Sequence, residues 1–175
     1  MRKVILIVVA VLHLLLVDAV TKELAVAHLK GTPGNVVVRG FFNLFYVENR
    51  GCAWGMFQNH VWPLAAFGVL ALAAIVWKRR DLFSLDASGW RRKAGIWCEL
   101  LLYAGIVGNL IDRIFRGCVV DFLDFHWGEA YHFPCFNVAD VYICTAAGLL
   151  ILSSLAAPGR EGKKGASAEP APKES

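Results

Sequence analysis

The sequence has few charged residues for its length: Asp, Glu, Lys and Arg make up 18% of 175 residues, whereas about 25% is typical of soluble domains. Hydrophobic residues instead reach 57%, and the mean hydropathy is +0.52. This excess excludes an ordinary soluble globule. The net charge of +4 is too small and too dispersed to indicate a nucleic-acid partner. A one-domain integral membrane protein remains, because so short a chain cannot carry several spanning helices and a separate soluble domain.

Four apolar stretches approach the roughly 20 residues that a bilayer core requires. They cover residues 4–20, 61–77, 94–111 and 138–157. We therefore expect a mainly α-helical membrane protein with four transmembrane helices, the first of which can continue through residues 19–29. Residues 1–157 would form one membrane-embedded domain. Residues 158–175 are rich in Gly, Ala, Pro, Lys and Glu, which predicts a disordered cytoplasmic tail.

The distribution of basic residues predicts the orientation of these helices. Twelve of the 18 Lys and Arg residues flank the termini or join the second and third stretches, and six lie on the other side. Because Lys and Arg favour the cytoplasmic side, both termini are expected in the cytoplasm. A cleavable secretion signal is the alternative interpretation of the first stretch, since Arg2 and Lys3 precede it and small residues follow it. Charged residues between the apolar run and the small residues, and the three later stretches, argue against that alternative.

The segments outside the membrane contain strand signals and several cysteine and histidine residues. Residues 31–55 have β-branched and aromatic runs broken by Gly, Pro and Asn, which predicts a small extracytoplasmic sheet between the first two helices. Cys118 and Cys135 share the connection between the last two stretches, where an oxidising compartment would permit a disulfide. His126, His132 and Cys135 imitate a zinc cluster, but their spacing fits no established pattern. No metal site is therefore expected.

Ionisable residues gather at the predicted outer end of the helices. A charged side chain near hydrocarbon costs about 2.5–3.5 kcal/mol on insertion scales, so each one needs a physical reason. Asp18 and Lys22 are four residues apart, which indicates a structural ion pair on one helix face. Asp112 has a structural explanation in its neighbour Arg113. Gly105 and Gly108, just before Asp112, would let another helix approach closely.

Acidic residues in this region also suggest a reaction. Two carboxylates held close together cannot both ionise easily, so one retains a proton while the other activates water, as in aspartic proteases. Serine catalysis is disfavoured, because Ser84 and Ser88 lie in the predicted cytoplasmic loop and Ser153 and Ser154 lie at the inner end of the fourth stretch. Spacing alone does not choose the pair. The candidates are Asp18, Asp112, Asp121, Asp124 and Asp140, of which Asp121 and Asp140 have the weakest purely structural explanations.

Five sequence blocks resemble the lipoprotein signal peptidase family, also called signal peptidase II, which comprises aspartic proteases of the bacterial inner membrane. The blocks are D-A-V-T-K (18–22), N-R-G-C-A-W-G (49–55), G-N-L-I-D-R (108–113), V-V-D-F (119–122) and F-N-V-A-D (136–140). They occur in the family's order, and the resemblance extends to about residue 157. Two departures are Ala19, where the family often has Gln, and Cys52, where a small apolar residue is usual.

The resemblance implies that Asp121 and Asp140 form the catalytic dyad. It further implies supporting or substrate-binding roles for Asn49, Gly51, Asn109, Asp112, Arg113 and Asn137, and a structural role for Asp18 and Lys22. The implied substrate is a prolipoprotein whose lipobox cysteine carries diacylglycerol, and cleavage just before that cysteine frees the signal peptide.

The same resemblance implies a multi-pass inner-membrane enzyme whose site is near the extracytoplasmic face. Its partners would be prolipoproteins and membrane lipids, with no nucleic acid and no cofactor, and we expect a monomer. Two other functions are the alternatives. A small carrier or proton-coupled channel would also hold intramembrane carboxylates, but it should have polar residues in both halves of the bilayer. A non-catalytic scaffold for lipoproteins would tolerate Asn at positions 121 and 140.

Overall fold

The computed structural model describes residues 2–128 and 130–156, and the predicted disordered tail lies outside these residues. Within them, four helices are long and apolar enough to cross a membrane. These helices are α1 (Arg2–Leu29), α2 (Val61–Leu82), α3 (Gly89–Arg116) and α4 (Val138–Leu155). The four predicted spans are therefore confirmed, and α1 continues to Leu29 as expected. Every helix except α4 extends several residues beyond its predicted apolar stretch.

Exposed tryptophans lie near both ends of the helices. Trp77 and Trp90 flank the connection between α2 and α3, with 81% and 52% of their surfaces exposed. Trp62 lies at the beginning of α2 and Trp127 in the segment between α3 and α4, with 67% and 63% exposed. Tryptophan is enriched at membrane–water interfaces, so these two levels fit the two surfaces of a bilayer.

A four-stranded antiparallel sheet lies at one end of the helices, which we call the sheet end. Its strands, in spatial order, are β1 (Asn35–Val38), β2 (Phe42–Asn49), β3 (Val119–Trp127) and β4 (Tyr131–His132). The predicted sheet between α1 and α2 is confirmed as β1 and β2. The other two strands come from the connection between α3 and α4, which the sequence analysis had not assigned to a sheet.

Apolar packing fixes the sheet onto the end of α1. Ala25 and Leu29, in the last turns of α1, form a buried cluster with Val120 and Phe122 of β3. Side chains alternate between the two faces of a strand, so Asp121 points away from this cluster. The register of β2 and β3 pairs Val47 with Asp121 and Asn49 with Val119. Asn49 and Asp121 are therefore diagonal neighbours on the same face.

Two glycines of α3 allow α1 and α4 to approach closely, as their positions in the sequence predicted. A Cβ atom added at Gly105 would lie 2.6 Å from the carbonyl oxygen of Ala139, and one at Gly108 would lie 2.5 Å from Oδ2 of Asp18. Both distances are shorter than side chains tolerate. Glycine at position 105 lets the beginning of α4 rest against α3, and glycine at position 108 leaves room for the Asp18 side chain of α1.

The end of α2 is fixed to α3 by an ion pair away from the sheet. The Glu99 carboxylate is 2% exposed and accepts hydrogen bonds from Nε and Nη2 of Arg79, at 2.7 and 2.6 Å. Arg79 lies in the last turn of α2, so this ion pair joins the end of α2 to α3. Phe83, which is fully buried, follows α2 and packs with Cys98 and Leu102 of α3.

The α3–α4 contact predicts the effect of adding one methyl group. We expect Gly105→Ala to destabilise the protein by about 1–3 kcal/mol, because the new Cβ meets backbone that cannot move aside independently. Gly148→Ala is the matched control, since nothing lies within 4 Å of its added Cβ and alanine favours helix by up to about 1 kcal/mol. Thermal unfolding in detergent measures both, and equal midpoints would contradict the proposed close contact.

Candidate active site

A buried lysine ammonium is the centre of the polar network at the sheet end. Lys22 of α1 is 1% exposed, and its Nζ has three oxygen partners. These are Oδ2 of Asp18 at 2.9 Å, Oδ2 of Asp112 at 3.0 Å and Oδ1 of Asn109 at 3.0 Å. An ammonium has three N–H donors, so every donor of Lys22 is used. The predicted Asp18–Lys22 ion pair is present, and it extends to α3.

Both aspartates of this network also bind backbone amides of distant segments. The amide of Ala139 donates to Oδ1 of Asp18 at 2.9 Å, and the amide of Val120 donates to Oδ2 of Asp112 at 3.1 Å. Ala139 directly precedes Asp140, and Val120 directly precedes Asp121. The Lys22 network therefore fixes the backbone beside each of the two strongest acidic candidates.

Asp112 pairs with Arg116 rather than with Arg113, the partner expected from the sequence. Nε of Arg116, one turn further along α3, lies 2.9 Å from Oδ1 of Asp112. Arg116 also pairs with Glu23 of α1. Arg113 instead donates from Nη2 to the carbonyl of Gly51 at 3.1 Å, which connects α3 to the segment after β2. The i,i+4 spacing of Asp112 and Arg116 is visible in the sequence and could have identified this pair.

Asn137 holds Asp121 and Asp140 together. Its side-chain Nδ2 donates to Oδ1 of Asp121 at 2.7 Å, and its backbone amide donates to Oδ2 of Asp140 at 3.2 Å. Asn137 is also the N-cap of α4, because its Oδ1 accepts from the amide of Asp140 at 3.0 Å. This reciprocal arrangement is a capping box, so the start of α4 itself sets the position of Asp140.

Two further asparagines occupy the remaining carboxylate oxygens. Asn49 donates from Nδ2 to Oδ2 of Asp121 at 3.0 Å, and Asn109 donates from Nδ2 to Oδ1 of Asp140 at 2.7 Å. The Lys22 ammonium can only donate, so it requires the oxygen of the Asn109 amide to face it. That orientation turns the Asn109 amide nitrogen towards Asp140.

The surroundings of Asp121 raise the pKa of its carboxyl group. It is 2% exposed, and burial raises its pKa to about 7. The negative charge of Asp140 acts in the same direction, whereas the hydrogen bonds from Asn49 and Asn137 partly oppose it. Near neutral pH, Asp121 therefore exists as a mixture of the protonated and ionised forms. A carboxyl group that holds a proton at neutral pH can act as a general acid.

Asp121 and Asp140 both line a cavity of about 1070 Å³ between α2, α3 and α4. Apolar side chains of α2 form part of its wall, among them Leu64 and Phe67. Trp54, in a short 3-10 helix (Ala53–Gly55), makes an edge contact with Phe133 at a centroid distance of 5.9 Å, and both rings line the cavity. Sequence reasoning missed these two aromatic residues, because no local pattern brings positions 54 and 133 together.

In the α3–α4 connection, the described residues form neither the disulfide nor the zinc cluster that the sequence analysis considered. Cys118 and Cys135 are free thiols rather than a disulfide. The rings of His126 and His132 stack at 4.9 Å, whereas the Cys135 thiol lies near Asp121 and the carbonyl of Phe45. Burial, with the charge of Asp121, raises the pKa of Cys135 to about 12. Across residues 2–128 and 130–156, no three His, Cys, Asp or Glu side chains are grouped to hold a metal ion.

Comparison with known proteins identifies the family. The family model described as Signal peptidase (SPase) II matches residues 9–156. A lipoprotein signal peptidase of Symbiobacterium thermophilum is 41% identical over 152 residues, which cover 87% of this chain and 93% of the relative. One from Clostridium tetani is 36% identical over 158 residues, covering 90% and 97%. A solved bacterial membrane enzyme superposes with a TM-score of 0.73 at 26% identity, covering 92% and 94%.

These similarities span the four helices, the sheet and the candidate site. They identify a peptidase rather than a carrier or a non-catalytic scaffold, and an aspartic mechanism is consistent with the family. The chain therefore belongs to the signal peptidase II family, as a multi-pass protein of the bacterial inner membrane that removes signal peptides from prolipoproteins.

Proposed function

We propose that Asp121 and Asp140 are the catalytic dyad of this peptidase. The observation that carries the proposal is their shared partner, because Asn137 donates one hydrogen bond to each carboxylate. Both side chains also line the apolar cavity, where a substrate segment can enter. Asp18 and Asp112 are excluded from this role, since their oxygens are bound to Lys22 and to backbone amides.

The environments of the two aspartates suggest different roles. Asp121 has the raised pKa and would be the acid that holds the proton. Asp140 receives N–H donors at the positive end of the α4 dipole, an arrangement that stabilises negative charge, so we assign Asp140 as the base. In the first step, Asp140 takes a proton from water while the water oxygen attacks the scissile carbonyl carbon and Asp121 protonates the carbonyl oxygen. In the second, the amide nitrogen receives a proton from Asp140, the C–N bond breaks, and a hydroxyl proton returns to Asp121.

The supporting residues would keep this geometry while a peptide binds. Asn49, Asn109 and Asn137 fix the carboxylate oxygens through the hydrogen bonds described above. Arg113 lines the cavity and holds the carbonyl of Gly51, so it can position the segment after β2 over the substrate. A Cβ atom at Gly51 would lie 2.4 Å from the carbonyl of Met56, which explains the need for glycine in this turn.

The substrate would be a prolipoprotein that already carries diacylglycerol on its lipobox cysteine, with cleavage just before that cysteine. Each buried CH₂ contributes about 0.8 kcal/mol, so two acyl chains keep the cysteine at the membrane. The cavity extends along α2 to Ala71 and along α4 to Thr145, with mostly apolar lining. Anchoring a lipid-modified cysteine beside the dyad would supply the proximity that accelerates cleavage.

The charge distribution supports an orientation in which both termini are cytoplasmic and the sheet end is extracytoplasmic. Residues 1–157 would then be one membrane-embedded peptidase domain, in contact with membrane lipids, whose dyad meets substrates at the outer surface. All residues proposed for the reaction come from a single chain, so a monomer suffices for cleavage.

The dyad assignment predicts a clear ranking of variants. We expect Asp121→Asn and Asp140→Asn to lower cleavage of a diacylglyceryl-modified lipobox peptide by about 100- to 10,000-fold, the usual contribution of general acid–base catalysis. Asp112→Asn should lower it less, because Asp112 acts through Lys22, Arg116 and the backbone amide of Val120 and does not contact the dyad side chains. Cleavage by each purified variant in detergent provides the measurement, with a chelator expected to have no effect.

Asp124→Asn is the matched control for this assay. Asp124 lies on the same strand as Asp121, but it bonds Asn43 and His132 rather than the dyad. Its replacement should leave cleavage unchanged. A greater loss in Asp112→Asn than in Asp121→Asn, or loss of activity with a chelator and recovery with zinc, would overturn the assignment.

The raised pKa of Asp121 predicts the alkaline limb of the pH profile. Because the acid must carry its proton, kcat/KM should fall about tenfold per pH unit above a midpoint near pH 7. Asn49→Ala removes a hydrogen bond that lowers this pKa, so the midpoint should move to higher pH. Asn43→Ala, on the same strand but bonded to Asp124, should leave it in place. A midpoint that is the same in all three proteins would refute Asp121 as the acid.

A further inference from the structure

A histidine lies in the middle of α1 on its outward-facing surface. His13 is exposed, and it follows nine residues after Val4, where the apolar span begins. At 1.5 Å per residue this distance is about 14 Å, which is close to half of a 30 Å hydrocarbon core. His28, the other exposed histidine of α1, lies at the end of the helix next to the sheet and can reach water.

In a monomer, the imidazole of His13 has no hydrogen-bond partner among the described residues. An imidazole carries one N–H donor and one nitrogen acceptor when neutral, and both are costly to leave unpaired in hydrocarbon. The side chain is also too short to reach either membrane surface. A partner outside this chain is therefore needed.

The residues on either side of His13 define the face that such a partner would meet. Leu6, Val9, Leu16 and Val20 follow the alternating three- and four-residue spacing of a left-handed helix pair through His13. All four are exposed, with 68%, 57%, 58% and 47% of their surfaces open. We call Leu6, Val9, His13, Leu16 and Val20 the α1 face. His13 is its central and only polar member.

We propose that the α1 face binds the same face of a second copy of this chain, with the two His13 side chains hydrogen-bonded to each other. Copies in one membrane share one orientation, so a two-fold axis along the membrane normal aligns two α1 helices in parallel with His13 opposite His13. The N–H of one imidazole then donates to the unprotonated nitrogen of the other. A second copy supplies the required donor or acceptor at the correct depth without any additional group, and one polar residue in an apolar helix contact fixes its register.

This dimer leaves the proposed reaction site open. The cavity is lined by residues of α2, α3, α4 and the segments at the sheet end, and α1 contributes none of its lining residues. The side of α1 that carries Asp18 and Lys22 is buried against the bundle. The dimer departs from the monomer expected from the sequence, but each copy still contains the whole proposed site. Dimerisation is therefore independent of the proposed function, and the failure of either proposal would not imply the failure of the other.

The proposal can be tested by fluorescence energy transfer. Full-length chains labelled with a donor or an acceptor are placed together in phosphatidylcholine vesicles, and transfer is measured at varied protein-to-lipid ratios. We expect His13→Leu to lower the dimer association constant by about three- to thirtyfold, the range for an interhelical hydrogen bond in a membrane. His13→Asn keeps a donor and an acceptor and should retain most of the association. His28→Leu, the matched control at the end of α1, should behave as the wild type, and unchanged cleavage per chain checks folding.

Disulfide crosslinking provides a second measurement. Val9→Cys, on the α1 face, should give crosslinked dimers above the level of the wild-type chain, whereas Val8→Cys, also exposed but turned about 100° from Val9 and away from the α1 face, should not. Wild-type chains that stay monomeric at every protein-to-lipid ratio would overturn the proposal. Equal association of wild type and His13→Leu, or equal crosslinking at positions 8 and 9, would do the same.

Discussion

The structure depends on one buried cation, the ammonium of Lys22. Removing such a charge from water costs several kcal/mol even after the protein relaxes, and full coordination offsets that cost. Asp18, Asp112 and Asn109 supply the coordination, and each also holds a part of the site. The two aspartates bind the backbone amides that precede Asp140 and Asp121, while Asn109 binds Asp140 directly. A change at Lys22 would therefore reach both candidate catalytic residues at once.

The balance of charge around Lys22 gives a reason for the unequal dyad. Asp18, Asp112, Asp121 and Asp140 lie near three cations, Lys22, Arg113 and Arg116, and Arg116 is shared with a fifth carboxylate, Glu23. Because the carboxyl groups outnumber the cations, a proton kept on one carboxyl group lowers the repulsion between like charges. Asp121 is the most suitable holder, because it is almost fully buried and no cation binds it directly. Asp140 lies in the first turn of α4, where the positive end of the helix dipole stabilises a negative charge.

Local patterns in the sequence predicted much of this arrangement, and long-range contacts explain the rest. Apolar runs predicted the four helices, the i,i+4 spacing predicted the Asp18–Lys22 pair, and Gly105 predicted the close α3–α4 approach. β3 was missed because its partner β2 lies 70 or more residues earlier in the chain, and no local pattern indicates that pairing. The contacts of Asn137 with Asp121 and Asn109 were likewise beyond any local spacing rule.

Polar groups in the membrane-spanning helices follow one physical rule, which connects the site and the α1 face. Water cannot satisfy them in hydrocarbon, so each must find a protein partner or reach the surface. Glu99 finds Arg79, and Lys22 finds its three oxygens, within the same chain. His13 differs from these two residues, because it lies in the middle of α1 with its polar side chain turned outwards. Polar residues that face the inside of the bundle are therefore satisfied within the chain, whereas the outward-facing His13 is satisfied by contact with a second chain.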